Sequence, residues 1–162
     1  MAKFKVGKGM AQYLQCLDNL HEASPAIIGK AVFDGAGIVA DAVKAETEAL
    51  PVDNGYAGEG EMLSGPSTYQ KNGLLESMGV AKMQTDGDYR NVKVGFDGYN
   101  GMKTKKYPKG QPNQMIANAV ESGSSFRKKN PFINRAVRNS REKAERAMAA
   151  KVDEEISKIV KE

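Results

Sequence analysis

The chain has 162 residues, a net charge of +4 and a single cysteine, Cys16. This length is enough for one core, so we expect a single domain over 1–162. The lone cysteine excludes an intrachain disulfide. No apolar run approaches the roughly 18–20 residues of a membrane span, and no secretory signal follows the charged N-terminus. We therefore expect a protein that is made in the cytoplasm and has no membrane contact.

The net charge hides an asymmetry along the chain. Residues 1–97 carry 9 basic and 13 acidic side chains, whereas residues 98–151 carry 13 basic and 3 acidic ones. The last eleven residues carry a net charge of −2. The basic block is either a solvated helix and loop, or a surface that meets polyphosphate or an acidic partner. The composition leaves both alternatives open.

The first 50 residues predict a strand and two helices. Residues 3–6 alternate as a short strand does, and Ser24-Pro25 has the pattern of an N-cap followed by proline at the first helical position. A second helix is therefore expected from about Pro25 to Leu50. The first helix is predicted by its apolar stripe of Met10, Leu14, Leu17 and Leu20.

Two long polar loops flank a predicted hairpin. Residues 51–67 are rich in Gly, Ser and Pro, and we expect this loop to order only against a neighbour. Residues 74–78 predict one or two helical turns. Asp86-Gly87 between two alternating runs predicts a β-hairpin. The second loop, residues 97–113, places Lys103, Lys105, Lys106 and Lys109 around Tyr99 and Tyr107.

The C-terminal third predicts two helices. A short helix is expected over 114–122, and the residues up to Asn130 should be extended because a proline follows. A long helix is expected from Pro131 to about Val160. Its predicted apolar stripe is Ile133, Val137, Ala144, Met148, Val152, Ile156 and Ile159.

These elements together predict an α+β fold. A small antiparallel sheet, formed by the N-terminal strand and the hairpin, is packed by helices and followed by the long C-terminal helix. Two or three short strands bury little apolar surface alone. We therefore expect another subunit to complete the sheet edges, which favours an oligomer.

The sequence contains no catalytic or metal-binding pattern. The only histidine, His21, lies five positions from Cys16 on the first predicted helix. The nucleophile-elbow, dinucleotide and phosphate-loop patterns are missing, and Asp86-Gly87-Asp88 lacks the closing Glu of a calcium loop. We therefore expect a protein that is not an enzyme and binds no cofactor.

Five stretches carry a resemblance in their order along the chain: FKVGKGMAQYLQCLDNL, IIGKAVFDGAGIVADAVKAE, NGLLESMGV, YRNVKVGF and VESGSSFRKKNPFINRAV. Together they resemble the small tail-component family of tailed phages and prophages, the tail-completion or head–tail joining (neck) proteins. Ser124 stands where that family usually has Thr. The last stretch matches the most recognisable block of the family through Glu121, Gly123, Arg127, Lys128, Lys129, Pro131, Phe132 and Ala136.

The resemblance implies a structural protein of the virion neck or tail that is assembled in the host cytoplasm. It implies a ring-forming subunit that bridges the tail terminator or tail tube and the head-closure connector. A hexamer matches the symmetry of a tail, and a dodecamer that of a portal. Non-specific contact with packaged DNA is a further expectation.

Two sets of residues are the candidate contact sites. For Phe132, the alternative to an interface is a role in the core alone. For the basic residues, the alternative to a contact site is a solvated surface. A second functional hypothesis makes the basic 98–151 segment a nucleic-acid-binding module. The predicted partner or subunit interface is Glu121, Gly123, Phe126, Pro131, Phe132 and Arg135. The predicted lumen-facing or DNA-facing basic cluster is Lys103, Lys105, Lys106, Lys109, Arg127, Lys128 and Lys129.

Overall fold

A computed structural model describes residues 8–87 and 89–160. Within them the fold is α+β, as predicted, with two antiparallel sheets of two strands each. The strand predicted at 3–6 lies outside the described residues. The elements are α1 (Lys8–Glu48), α2 (Thr68–Ser77), β1 (Met78–Val80), β2 (Gln84–Asp86), β3 (Tyr89–Asn91), β4 (Val94–Phe96), α3 (Asn113–Ser122) and α4 (Phe132–Val160).

The 41-residue helix α1 runs through Pro25 without ending. The prediction of two helices that meet at Ser24-Pro25 is therefore wrong. Proline removes one backbone donor from a helix, here the partner of the His21 carbonyl. Ser24 Oγ donates to the carbonyl oxygen of Leu20 at 2.7 Å, as serine commonly does inside a helix. The apolar residues on the two sides of Pro25 are also in phase at helical spacing. A continuous helix keeps Leu17 and Ile28 on one face, which the local Ser-Pro pattern does not reveal.

Helix α4 packs antiparallel along the part of α1 that follows Pro25. Arg135, near the start of α4, donates to Glu46 at 2.8 Å, and Glu155, near its other end, pairs with Lys30. Between these pairs, a Cβ on Gly35 would lie 2.7 Å from the side chain of Met148. The two helices therefore approach each other closely.

The buried face of α4 differs from the predicted stripe. Val137 and Ile156 are exposed, so the predicted phase is wrong at these positions. Between Phe132 and Glu155 the helix buries small residues instead, because small side chains allow the close approach to α1. The buried residues are Phe132, Ala136, Ser140, Ala144 and Glu155.

A single hairpin carries all four strands, which confirms the predicted hairpin. β1 pairs with β4 with Met78 opposite Phe96, and β2 pairs with β3 with Gln84 opposite Asn91. Three residues separate β1 from β2 but only two separate β3 from β4, so the register shifts by one residue through a bulge. Gly87 directly follows β2 and has φ +57°, a left-handed conformation that glycine adopts without steric cost.

The apolar core lies where α2, α3, β4 and the first turn of α4 meet the C-terminal end of α1. The rings of Phe96 and Phe132 lie 6.1 Å apart between centroids and are tilted by 49°. Leu74 and Phe132 are fully buried. The core residues are Val43, Leu50, Leu74, Phe96, Ile116, Ala117, Val120, Phe132 and Ala136.

Contacts within the chain hold parts of the loop at 51–67. The carboxylate of Asp53 accepts hydrogen bonds from the backbone N–H of Ser64 at 2.8 Å and of Gly55 at 3.0 Å. These bonds lower the pKa of Asp53. Leu63 N donates to the carbonyl of Phe126 at 2.9 Å. The expectation that this loop orders only against a neighbour is therefore wrong.

Glu155→Gln is expected to remove an acid-sensitive part of the stability. Hydrogen bonds from Lys158 and Lys30 lower the pKa of Glu155 from 4.5 to about 2. A carboxyl with a lowered pKa contributes stability that is fully present above its unfolded pKa and is lost as the pH falls through the folded one. The melting temperature of the wild type should therefore fall more steeply between about pH 5 and pH 2 than that of the variant.

The control is Glu142→Gln, which breaks an exposed i,i+4 pair with Arg146. Exposed pairs contribute little to stability, so this variant should follow the wild type across the same pH range. Equal slopes for the wild type and Glu155→Gln would contradict the lowered pKa of Glu155 in the folded protein.

Candidate interaction surfaces

The block at 121–136 is the turn that joins α3 to α4. The carboxylate of Glu121 accepts hydrogen bonds from the backbone N–H of Ile133 at 2.8 Å and of Asn134 at 3.1 Å. A negative charge at this end of a helix is stabilising. Gly123 has φ +79°, and a Cβ there would lie 3.1 Å from Lys129 N. Glu121 and Gly123 therefore set the direction in which α4 leaves the turn.

The two phenylalanines of this block have opposite environments. Phe132 is fully buried in the core, so its prediction as an interface residue is wrong and the core alternative is confirmed. Phe126 is 48% exposed. Pro131 and Arg135 are also exposed, and Arg135 is paired with Glu46. Phe126 is thus the accessible aromatic ring of the block.

Arg127 is buried, with 3% of its surface exposed. Its Nη2 donates to Gln70 Oε1 at 2.8 Å. Burial lowers the pKa of Arg127, and the charge of Asp53 acts in the opposite direction. The prediction that Arg127 faces a lumen or DNA is therefore wrong. Its guanidinium joins the 121–130 turn to α2.

Gln70, the partner of Arg127, belongs to a capping box whose pattern is present in the sequence. Ser67 Oγ accepts a hydrogen bond from Gln70 N at 3.3 Å, and Gln70 Oε1 accepts one from Ser67 N at 3.2 Å. Ser67-x-x-Gln70 is the sequence signature of this motif. It marks the start of α2, which is longer than the one or two turns predicted there.

The other predicted basic residues lie on the surface, in two places. Lys128 and Lys129 are exposed in the 121–130 turn. Lys103, Lys105, Lys106 and Lys109 are exposed in the loop at 97–113. Among the described residues, no hydrogen bond connects that loop with residues 127–129.

The loop that carries the four lysines is anchored at its base. Asn100 N donates to Gln111 O at 2.9 Å, and the Asn100 side chain accepts from the backbone N–H of Met102 and of Gln111. Tyr107 is half-buried and its hydroxyl lies 3.2 Å from the sulfur of Met115. The lysines therefore lie on a loop whose base is fixed by hydrogen bonds.

An open cleft of about 790 Å³ lies between α2 and the start of this loop. Its lining includes the carboxylates of Glu76 and Asp97 and the exposed rings of Tyr69 and Tyr99. Asn113 is buried at the cleft, and its Oδ1 has no hydrogen-bond partner among the residues that the structure describes. Carboxylates and aromatic rings bind cations, so the cleft has the chemistry to receive a Lys or Arg side chain.

The first 17 described residues of α1, residues 8–24, form a segment that we call the arm. None of the residues from 9 to 24 is buried. Lys30 pairs with Glu155, and α4 runs antiparallel to α1 as far as Val160. The described part of α4 therefore ends level with about Pro25, at 1.5 Å per helical residue. The arm exposes between 43% and 61% of four large apolar side chains, Met10, Tyr13, Leu14 and Leu17.

The described residues contain no cluster of three metal-ligating side chains. No described helix is long and apolar enough to cross a membrane. His21 is exposed and Cys16 partly exposed, and both lie on the arm.

Comparisons of the chain with protein-family models, with curated proteins and with solved structures found no match. The family resemblance of the sequence therefore stays a prediction.

Proposed function

We propose that this chain is a structural, non-catalytic protein of the tailed-phage neck. It is a ring-forming tail-completion or head–tail joining subunit that bridges the tail terminator or tube and the head-closure complex. The proposal starts from the sequence resemblance. In this proposal the protein is part of the virion, and it is assembled in the host cytoplasm.

The observation that carries the proposal is the exposed apolar stripe of the arm. A stripe of Met10, Tyr13, Leu14 and Leu17 on a helix is normally buried by another element. No residue of the arm from 9 to 24 is buried by the described part of the chain. A protein that leaves such a surface uncovered is suited to assembly with other subunits. The exposed Phe126 adds a second contact point on the opposite end of the α1–α4 pair.

The test is to inactivate the gene in the phage or prophage that encodes this chain, and to examine the particles made after induction. Without the gene, we expect full heads and tails that stay unjoined, or tails of irregular length. In purified wild-type virions, mass spectrometry should detect the protein. Complementation with the intact gene should restore joined particles. Normal infectious virions without the protein would overturn the proposal.

A nucleic-acid-binding module is the second candidate, and the four exposed lysines in the loop at 97–113 favour it. Lys105→Gln with Lys106→Gln is expected to weaken binding to a short duplex. The slope of log affinity against log salt is negative, and each lost phosphate contact reduces its magnitude by about 0.9. The double variant should therefore have a slope that is shallower by about 2. Filter binding or fluorescence anisotropy across a salt series measures this slope.

The matched control is Lys44→Gln with Lys82→Gln. These two lysines are exposed and lie outside the basic segment, so the double variant has the same net charge. An equal loss of binding in both double variants would mean that only the overall charge attracts DNA. No binding by the wild type at low salt would remove the second candidate.

A further inference from the structure

The stripe on the arm has the spacing of a coiled-coil seam. In a heptad that starts with Met10 at position a, apolar or small residues occupy each a and d position as far as residue 31. The register is Met10, Tyr13, Leu17, Leu20, Ser24, Ile27 and Ala31. Such a seam is the surface that another helix covers.

The seam is continuous with a contact that the chain already makes. Ile27 and Ala31, where the seam enters the folded body, are both buried. Beyond Pro25 toward the N-terminus the same face is uncovered, because the described part of α4 has ended. A helix in the place beyond α4 continues the direction of α4 if it runs antiparallel to the arm.

We propose that the arm of a second copy of this chain takes that place, so that two arms pair antiparallel about a two-fold axis. The pairing sets Met10 opposite Leu20 of the second copy, and Tyr13 opposite Leu17. The arm has the same length and the same seam in both copies, which a two-fold contact requires. It thus buries the stripe of both copies at once.

The residues beside the seam agree with this pairing. In an antiparallel pair, position g faces position g of the other helix, and position e faces e. The g positions are occupied by small residues, Gly9, Cys16 and Ala23, which allow close approach. Cys16 then faces Cys16 of the second copy, and Leu14 at position e faces Leu14 on the other flank. Of the flanking positions 9, 14, 16, 21 and 23, only position 21 carries an acidic or basic side chain, His21. In the proposed pairing it does not face a second His21, so like charges do not oppose the seam.

The first experiment measures mass in solution by light scattering over a concentration series. The wild type should approach twice the chain mass of 17.5 kDa. Leu17→Glu places a charge in the seam and should weaken association at least tenfold. Gln15→Glu adds the same charge at position f, on the far side of the helix, and should associate as the wild type does. Leu17 is exposed, so the thermal unfolding of both variants should otherwise be alike.

The second experiment uses the cysteine as a reporter of direction. Mild oxidation should cross-link wild-type chains through Cys16. The matched control, Cys16→Ser with Gln15→Cys, should cross-link far less. In a Cys16→Ser background, a mixture of Gly9→Cys and Ala23→Cys chains should form mixed dimers in preference to either homodimer, because only antiparallel arms bring these positions together.

Three results would overturn the pairing: a wild type that stays monomeric at all concentrations, an oligomer that Leu17→Glu does not weaken, or equal cross-linking at positions 15 and 16. The inference rests on the arm that also carries the proposed function, and the two fail separately. A cyclic ring has no two-fold axis between neighbouring subunits, so the arm pair belongs to the free protein and must open before a ring closes. Cross-linked dimers together with virions that lack the protein would refute the neck role alone. A virion protein whose arms do not cross-link would refute the arm pairing alone.

Discussion

Replacing Phe132 with alanine is expected to lower the free energy of unfolding by about 3–5 kcal/mol, the usual cost of truncating a buried phenylalanine. The ring is fully buried and stacks at a tilt on Phe96, 6.1 Å away between centroids. It also begins α4, so its loss leaves a cavity where the long helix joins the core. Chemical denaturation followed by circular dichroism measures the loss.

The same chain provides the control. Phe126 lies six residues earlier in the same block and is 48% exposed. Phe126→Ala should therefore change the free energy of unfolding by about 1 kcal/mol or less. If Phe126 is a contact residue of the assembly, its loss should instead weaken binding to a partner. A comparable loss of stability in both variants would contradict the division of this block into one core residue and one surface residue.

Gly110→Ala is expected to destabilise the fold by about 3 kcal/mol or more, because two separate costs add. Gly110 has φ +102°, a backbone conformation that side chains with a Cβ rarely adopt. A Cβ at this position would also lie 1.9 Å from the carbonyl oxygen of Asn100. The loop base must then shift and release the hydrogen bond between Asn100 N and Gln111 O.

Gly98→Ala separates the two costs. Gly98 also has a positive φ, +64°, but a Cβ there would meet no atom within 4 Å. Only the conformational cost of about 1–2 kcal/mol is therefore expected. Urea denaturation of both variants measures the difference. A Gly110→Ala variant as stable as Gly98→Ala would mean that the base of the lysine loop is not held as tightly as the Asn100 contacts indicate.

Local patterns in the sequence predicted the elements whose signals are local. The long helix from 131 to 160 and the hairpin were found because periodicity and the Asp86-Gly87 turn act over a few residues. The prediction of a helix start at Pro25 is wrong because Ser-Pro has the same local pattern at the start of a helix and inside one. The prediction of the buried face of α4 is wrong because Ser140 and Ala144 are buried through close approach to α1 and carry little hydrophobic signal.

The contact sites were harder to predict because burial depends on distant residues. Arg127 is buried, and its hydrogen-bond partner Gln70 is 57 positions away in the sequence. The prediction that the residues up to Asn130 are extended is also wrong at 124–127. Ser124 and Arg127 close a turn there through hydrogen bonds between their backbone groups. This turn leaves Phe126 exposed beside the buried Arg127. The exposure of the lysines in the loop at 97–113 could be predicted without knowing distant contacts, because a polar loop lies on the surface.

The antiparallel pairing of α1 with α4 has a consequence for the synthesis of the chain. Lys30 and Glu155 are 125 positions apart, and α1 leaves the ribosome long before α4 does. At typical translation rates, on the order of 10 s pass between the synthesis of α1 and that of α4, and the apolar face of α1 stays exposed during this time. During that interval the nascent helix is exposed to chaperones and to neighbouring chains on the same polysome. The order of the elements along the chain therefore makes its folding late and its nascent form prone to association.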